Sequence, residues 1–205
     1  PTRRSSDLVR ATVGGSVPVT LGKLLGEAHV EAGLRLFNAH FESIMLEDLH
    51  PLPGSGALLE ALHADGWQTA VFTNKDGRAS RLICAELGYE PFLDAVFGTG
   101  DTPWRKPQPA FTHHVLSELG ADPASTVMVG DSPFDLAAAQ AGGLACHLVA
   151  TGSHSRAQLQ AETPAAAGVW PDLPSLAAPV FGVGASVASA SSDALQKPIL
   201  GGVGK

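Results

Sequence analysis

The stretch VMVGDSPFDLAAAQAG, residues 127–142, decides the fold of this 205-residue chain. The apolar run at 126–129 is typical of a short buried strand, and a helical pattern at 133–141 follows at once. Similar short apolar runs stand between helical patterns elsewhere, for example TAVF at 69–72 and LACHLV at 144–149. This alternation predicts an α/β fold, a Rossmann-like parallel sheet core flanked by helices.

Two carboxylates stand at the end of the strand predicted at 126–129. Asp131 follows the strand, and Asp135 comes four residues later at the helix start, so the two share one face. Their gap suits a hard cation such as Mg²⁺, and Gly130 lets the backbone turn closely. The alternative is that Asp131 or Ser132 caps the helix. We favour the metal site, because capping requires neither Asp135 nor the glycine.

Two more polar side chains occupy comparable positions. Thr73 ends the strand predicted at 69–72, where its hydroxyl and the following N–H groups suit a phosphate oxygen. Lys106 comes just before a proline-fixed helix start and can neutralise a phosphate and nearby carboxylates. Taken singly, Thr73 is better explained as a strand-ending turn, and Lys106 equally well as a surface lysine. The case for a ligand site therefore depends on all three positions together.

The composition excludes several classes of protein. A 44% hydrophobic content rules out wholesale disorder, and 13 basic against 20 acidic residues give a net charge of −7. That balance argues against binding to nucleic acid or to an anionic membrane. The sequence shows neither an apolar run of ~18 residues nor a signal-peptide core. Cys84 and Cys146 lie in apolar runs, so we expect buried thiols in a cytoplasmic protein.

The chain divides into four segments. Residues 9–50 have a helical pattern that ends at the breaker cluster HPLPGSG, and residues 51–177 carry the strand–helix alternation. Residues 178–205, rich in Ala, Ser, Gly and Val, are expected to be a disordered low-complexity tail. Residues 1–8, PTRRSSDL, resemble a translated sequencing adapter, so we exclude them from the fold.

Three motifs carry a resemblance to a known family. Thr73-Asn74-Lys75, Lys106-Pro107 and Gly130-Asp131-Ser132-Pro133-Phe134-Asp135 resemble, in this order, motifs two, three and four of the haloacid-dehalogenase-like hydrolase superfamily. The likeness is nearest to its phosphoglycolate-phosphatase type and covers about residues 9–175. Residues 9–50 are similar to the C-terminal part of a helical cap, so a partial α-helical cap is expected beside the core at 51–177.

The resemblance implies Mg²⁺-dependent hydrolysis of a small phosphorylated metabolite through an aspartyl-phosphate intermediate. Thr73 and the backbone of Asn74 would hold the phosphate, and Lys106, as a catalytic residue, would offset the charge of nucleophile and phosphoryl oxygens. Asp131 would bind Mg²⁺ with Asp135 beside it. The sequence leaves the oligomeric state open.

The family's nucleophile is missing from this sequence. In the family, a nucleophilic Asp and a second Asp two residues later end the first core strand, and no Asp-x-Asp follows an apolar strand here. We therefore interpret the chain as an N-terminally truncated phosphatase, inactive as it stands. Its core would lack a central strand, leaving the neighbouring strands unpaired or closed over the gap.

Other functions stay open at this stage. One alternative is a catalytically dead relative that binds a phosphorylated ligand or partner. A haloacid dehalogenase needs no Mg²⁺, whereas the Gly130-Asp131 pair favours a phosphatase; a sugar-phosphate mutase of the same superfamily also remains possible. A response-regulator receiver is discounted, because its acidic residues precede the Thr and Lys. Gly14-Gly15-Ser16 lacks the Lys-Ser/Thr of a phosphate loop and is interpreted as a turn in the cap.

Overall fold

The computed structural model describes Leu8, Thr12 and residues 16–183. The predicted adapter segment therefore lies outside the described residues except for Leu8. The helical pattern predicted for 9–50 is confirmed where it is described, as helices α1 (Val17–Leu25) and α2 (Val30–Ile44). A 3₁₀ turn at Glu27–His29 joins them, and the two helices pack against each other.

The second part of the chain alternates strands and helices as predicted. Its elements, in chain order, are α3 (Ser55–Ala64), β1 (Ala70–Asp76), α4 (Gly77–Glu86), β2 (Ala95–Thr99), α5 (Pro109–Leu119), β3 (Val127–Gly130), α6 (Pro133–Gly142), β4 (Ala145–Val149), α7 (Arg156–Gln160), β5 (Gly168–Trp170) and α8 (Leu173–Phe181). All strand pairs are parallel. The predicted α/β class is confirmed.

The strands form two sheets rather than one. β1 pairs with β2, and β3, β4 and β5 form a second sheet in that order, so among the described residues β1 and β3 do not pair. The carbonyl of Thr69 accepts from Asp94 N on the β2 side. Because carbonyls alternate in direction along a strand, the carbonyl of Phe72 points to the other edge of β1.

A hydrophobic core brings the two sheets together. Buried side chains of β3, β4, α6 and α7 form the main cluster: Met128, Leu136, Ala138, Ala139, Cys146, Leu148 and Leu159. Phe72 of β1 packs against this cluster and meets Phe111 edge-on, with ring centroids 4.8 Å apart. Cys84 and Cys146 are both buried, as predicted. Within the described part of the chain, no helix is long and apolar enough to cross a membrane.

The predicted boundary of the tail is wrong by several residues. The tail was expected to begin at residue 178, but α8 continues to Phe181, and Val183 is only 7% exposed. Val183 and Ala177 pack with Leu58 and Leu62 of α3, a long-range contact that composition does not reveal. Residues 184–205 lie outside the described part.

Candidate active site

Lys106 is the buried cation between the two sheets. Its side chain is 9% exposed, and its ammonium donates to the carbonyl of Phe72 at 2.7 Å and to Asp135 Oδ1 at 2.6 Å. The ammonium therefore lies against the unpaired edge of β1 and also contacts the start of α6, beyond β3. These contacts support the prediction that the position of Lys106 is fixed by its surroundings. Its burial contradicts the alternative of a solvated lysine in a loop.

Asp135 has a structural role that the metal-ligand prediction did not include. Its Oδ2 accepts from Ser132 Oγ at 2.6 Å and from the backbone N–H groups of Ser132 and Asp131 at 3.0 and 3.1 Å. This is the acidic half of a capping box at the start of α6. With Lys106 on Oδ1, both carboxylate oxygens are occupied. The capping alternative does use Asp135, contrary to the sequence-based argument.

The pKa of Asp135 reflects these contacts. Burial of the carboxyl by itself would raise its pKa, but the Lys106 charge and the hydrogen bonds from Lys106 and Ser132 outweigh burial and leave the pKa below its usual range. Gly130 is required at this turn, since a Cβ there would stand 2.3 Å from the Cβ and Cγ of Asp135.

Asp131 is the carboxylate that stays available at this strand end. It is half-buried, and no other residue in the described part of the chain donates a hydrogen bond to its side chain. Burial, and then the charge of Asp135, raise the pKa of Asp131. The loop after β4 closes on it, because a Cβ on Gly152 would lie 1.7 Å from Asp131 Oδ2. A single free carboxylate at a strand end is the part of the predicted metal site that the geometry retains.

Thr73 and Asn74 lie within β1, which continues to Asp76 and not only to the predicted end at residue 72; its pairing with β2 is irregular between Phe72 and Asp76. Thr73 Oγ1 accepts a hydrogen bond from Lys75 N at 3.1 Å, which is a local contact of the kind expected in a simple turn. Because the oxygen only accepts in this contact, the hydroxyl proton can still be donated to a ligand. The Asn74 side chain donates to Lys106 O at 3.0 Å and accepts from Lys106 N at 2.7 Å. These paired hydrogen bonds fix the backbone of Lys106 against β1.

Several contributions to the site were not predicted from the sequence. The side chain of Asn74 holds the backbone of Lys106, and His154 has a small influence on the pKa of Asp131, which burial and then Asp135 raise. Lys75 lies over the Phe41 ring of α2, its ammonium 4.7 Å from the ring centroid, and burial lowers its pKa. The spacing of Thr73-Asn74-Lys75 behind a strand was the available signal for Asn74; nothing in the sequence pointed to the other contacts.

The arrangement can bind an anion beside a cation site. The buried ammonium of Lys106 and the carboxylate of Asp131 come from two loops, and the hydroxyl of Thr73 comes from β1. Among the residues that the structure describes, no three His, Cys, Asp or Glu side chains gather as a metal cluster. Mg²⁺ does not need one, because it commonly keeps several waters and takes one or two carboxylates together with substrate phosphate oxygens.

Comparison with known proteins places this chain in a family. A model of the haloacid dehalogenase-like hydrolases matches residues 3–149, and the chain belongs to that family. It is 34% identical over 139 residues to the phosphoglycolate phosphatase of Cereibacter sphaeroides strain ATCC 17029, an alignment over 64% of this chain and 63% of that relative. The chain thus spans less than two thirds of that relative's length.

Two further comparisons concern a relative in sequence and a solved structure. The chain is 32% identical over 162 residues to a Dickeya dadantii protein named probable phosphatase IndB, over 76% of this chain and 70% of the relative. A solved haloacid dehalogenase-like family hydrolase from Streptococcus pneumoniae superposes with a TM-score of 0.72 at 17% identity, over 82% of this chain and 77% of the other. That structural likeness supports the fold.

Proposed function

We propose that this chain carries the phosphate- and Mg²⁺-binding part of a phosphate monoester hydrolase of the phosphoglycolate-phosphatase type. The observation that carries the proposal is the buried Lys106 ammonium, held between the edge of β1 and the start of α6, with Thr73 in β1 and Asp131 directly after β3. The names of the Cereibacter and Dickeya relatives support phosphate chemistry.

The chain's own residues have distinct tasks in this proposal. Lys106 offsets the charge of phosphoryl oxygens from a buried position, where a cation interacts more strongly than in water. Thr73 donates its hydroxyl proton to one phosphoryl oxygen. Asn74 does not need to touch the ligand through its side chain, because its hydrogen bonds to Lys106 already hold the lysine loop at the end of β1.

Asp131 is the residue that would hold Mg²⁺. Its carboxylate would supply one oxygen ligand, and its raised pKa is what a carboxylate shows when burial and a neighbouring acid leave its negative charge uncompensated. A bound Mg²⁺ would supply compensation for the negative charge of the phosphate. Asp135 stays out of the shell, since Lys106 and the capping box occupy both of its oxygens.

None of the residues assigned above is a nucleophile. Formation of the phosphoenzyme requires a carboxylate oxygen that bonds to phosphorus while the ester P–O bond breaks, and a proton for the leaving alcohol oxygen. Asp131 and Asp135 are the acids at this strand end, and the tasks above already occupy them. We therefore propose that the chain binds phosphate but does not turn over a monoester.

Replacing Thr73 by valine tests the phosphate site. Thr73→Val keeps the shape and removes the donor, so we expect the dissociation constant for inorganic phosphate, measured by calorimetry with Mg²⁺ present, to rise about tenfold. Thr126→Val is the matched control, because that hydroxyl precedes β3 and donates to Asp122 O. Equal weakening by both variants, or no weakening by Thr73→Val, would count against the phosphate site.

A further inference from the structure

Lys75 is a cation without an anionic partner. Its ammonium forms no ion pair and donates no hydrogen bond within residues 16–183, although the chain as a whole carries a net charge of −7. Three arginines of the same segment do form ion pairs: Arg35 with Glu31, Arg78 with Glu42 and Arg81 with Asp101. The three N–H donors of the Lys75 ammonium are therefore free to bind a ligand.

The ring of Phe41, on α2, holds this ammonium at one place. Lys75 Nζ is 4.7 Å from the centroid of the Phe41 ring, and Phe41 stacks on Phe37 with ring centroids 5.5 Å apart. A cation over an aromatic face is attracted by the charge distribution of the ring. Because a lysine side chain otherwise samples many rotamers, this contact reduces the entropy that Lys75 would lose on binding a ligand.

Lys75 lies beside Thr73 in β1. The Lys75 backbone N–H donates to Thr73 Oγ1 at 3.1 Å, and the two residues start only ~7 Å apart along the strand. Side chains two positions apart in a strand lie on the same face, whereas the Asn74 side chain between them turns to Lys106. The Lys75 side chain therefore begins on the same side of β1 as the Thr73 hydroxyl.

The surroundings of the Lys75 ammonium favour a bound anion. Lys75 is still open to solvent, so a small ligand can reach it, yet partial burial lowers its pKa. A lowered pKa means that the lost hydration of the charged form is not compensated by a nearby negative charge. An anion would supply that compensation while the Phe41 ring stays in place, because the ring covers one side of the ammonium and leaves N–H donors on the other.

A second contact joins α2 to the same part of the core. Arg78, near the start of α4, pairs with Glu42 of α2 at 3.4 Å, and both side chains are exposed. Surface ion pairs of this kind stabilise a structure only weakly. Glu42 directly follows Phe41 in the chain, so changes at these two residues can separate loosened packing of α2 from loss of the support under Lys75.

We infer that Lys75 is a further phosphate-binding residue and that Phe41, from α2, is its positioning residue. Lys75 donates to an oxygen of the phosphate that Thr73 and Lys106 bind, and the Phe41 ring keeps the ammonium in place for this contact. The inference rests on the proposed function for the position of that phosphate.

Calorimetric titration of the full chain with inorganic phosphate, in low salt with Mg²⁺ present, tests both roles. Lys75→Met keeps the stem and removes the charge, and we expect it to raise the dissociation constant about tenfold. Phe41→Leu keeps an apolar side chain without an aromatic face, and it should raise the constant about threefold. Phe41→Tyr retains the aromatic face and should restore the wild-type affinity.

Two variants serve as controls for charge and for packing. Lys23→Met removes an exposed lysine from the last turn of α1 and should not weaken phosphate binding. Glu42→Gln breaks the ion pair with Arg78 and should not weaken it either. Weakening by Glu42→Gln equal to that by Phe41→Leu would mean that Phe41 acts only through the packing of α2, and it would overturn the positioning role.

A spectroscopic measurement reports on Lys75 directly. In the chain labelled with ¹³C-lysine, the Cε signal of Lys75 gives the pKa of its ammonium, which saturating phosphate should raise in the wild type and raise less in Phe41→Leu. A pKa of Lys75 that phosphate does not change overturns the binding role.

The outcomes separate this inference from the proposed function. If the wild-type chain binds no phosphate, the proposed function and the inference fail together. If phosphate binds and Thr73→Val weakens it, whereas Lys75→Met and Phe41→Leu leave the affinity unchanged, the inference alone fails.

Discussion

The 205-residue chain, supplied with Mg²⁺ and 2-phosphoglycolate, is expected to release phosphate roughly 10⁴–10⁶-fold more slowly than a complete phosphatase of its family. The reason is chemical: in the proposed function Lys106 and Thr73 bind phosphate, but Asp131 and Asp135 have other tasks. Lys106 and the capping box occupy both oxygens of Asp135, and Asp131 is the proposed metal ligand. Binding groups without a nucleophile stabilise the substrate but do not provide the covalent step.

The assay has a direct positive control. The phosphoglycolate phosphatase of Cereibacter sphaeroides, assayed at the same enzyme and substrate concentrations, sets the rate of a complete enzyme. Mg²⁺-dependent turnover by the 205-residue chain within about tenfold of that rate would contradict the proposed loss of catalysis. It would also require a nucleophile that the site geometry does not reveal.

Replacement of Lys106 by methionine is expected to lower the free energy of unfolding by about 3–5 kcal/mol at neutral pH. Lys106→Met keeps most of the stem but leaves the Asp135 carboxylate buried at 5% exposure without its cation. It also removes the donor to the Phe72 carbonyl at the unpaired edge of β1. Urea unfolding followed by circular dichroism measures the change.

The loss should depend on pH in a defined direction. In the wild-type chain the pKa of Asp135 is depressed, so its contribution to stability is present above the unfolded pKa, about 3.9, and disappears as pH falls through the lower folded value. Without Lys106 the carboxyl takes up a proton more readily. The destabilisation by Lys106→Met should therefore shrink as the pH is lowered from neutrality.

A double variant supplies the control for this effect. Lys106→Met with Asp135→Asn removes both charges, and its loss of stability should be smaller than the sum of the two single losses. A Lys106→Met chain within about 0.5 kcal/mol of wild type would show that the ion pair does not hold the start of α6 to β1.

The sequence predicts the secondary structure well because the signals are local. The strand at 126–129 and the helix after it differ from β3 and α6 only at their ends, since apolar runs, Pro133 and the glycines mark them. The end of α8 was missed because it depends on Val183 and Ala177 packing on α3. A contact between residues more than a hundred positions apart leaves no mark in local composition.

The sequence anticipated some of the contacts around Lys106 and missed others, and the roles of the site residues stay predictions. Asp131 directly follows β3 as predicted, whereas Thr73 lies within β1 and Lys106 lies in the loop between β2 and α5. The distinct role of Asp135 depends on which donors surround its two oxygens, and spacing cannot supply that. The partnership of Asn74 with Lys106 likewise joins two loops that are distant in the chain.

The most direct test of the account is calorimetric titration of the chain with Mg²⁺, with and without inorganic phosphate. We expect phosphate to strengthen Mg²⁺ binding and Asp131→Asn to weaken it about tenfold or more, while Asp172→Asn, at the start of α8, has no effect. Because the pKa of Asp131 is raised, protons should displace Mg²⁺ at a higher pH than from an ordinary aspartate. Mg²⁺ binding that neither phosphate nor Asp131→Asn alters would contradict a joint metal and phosphate site.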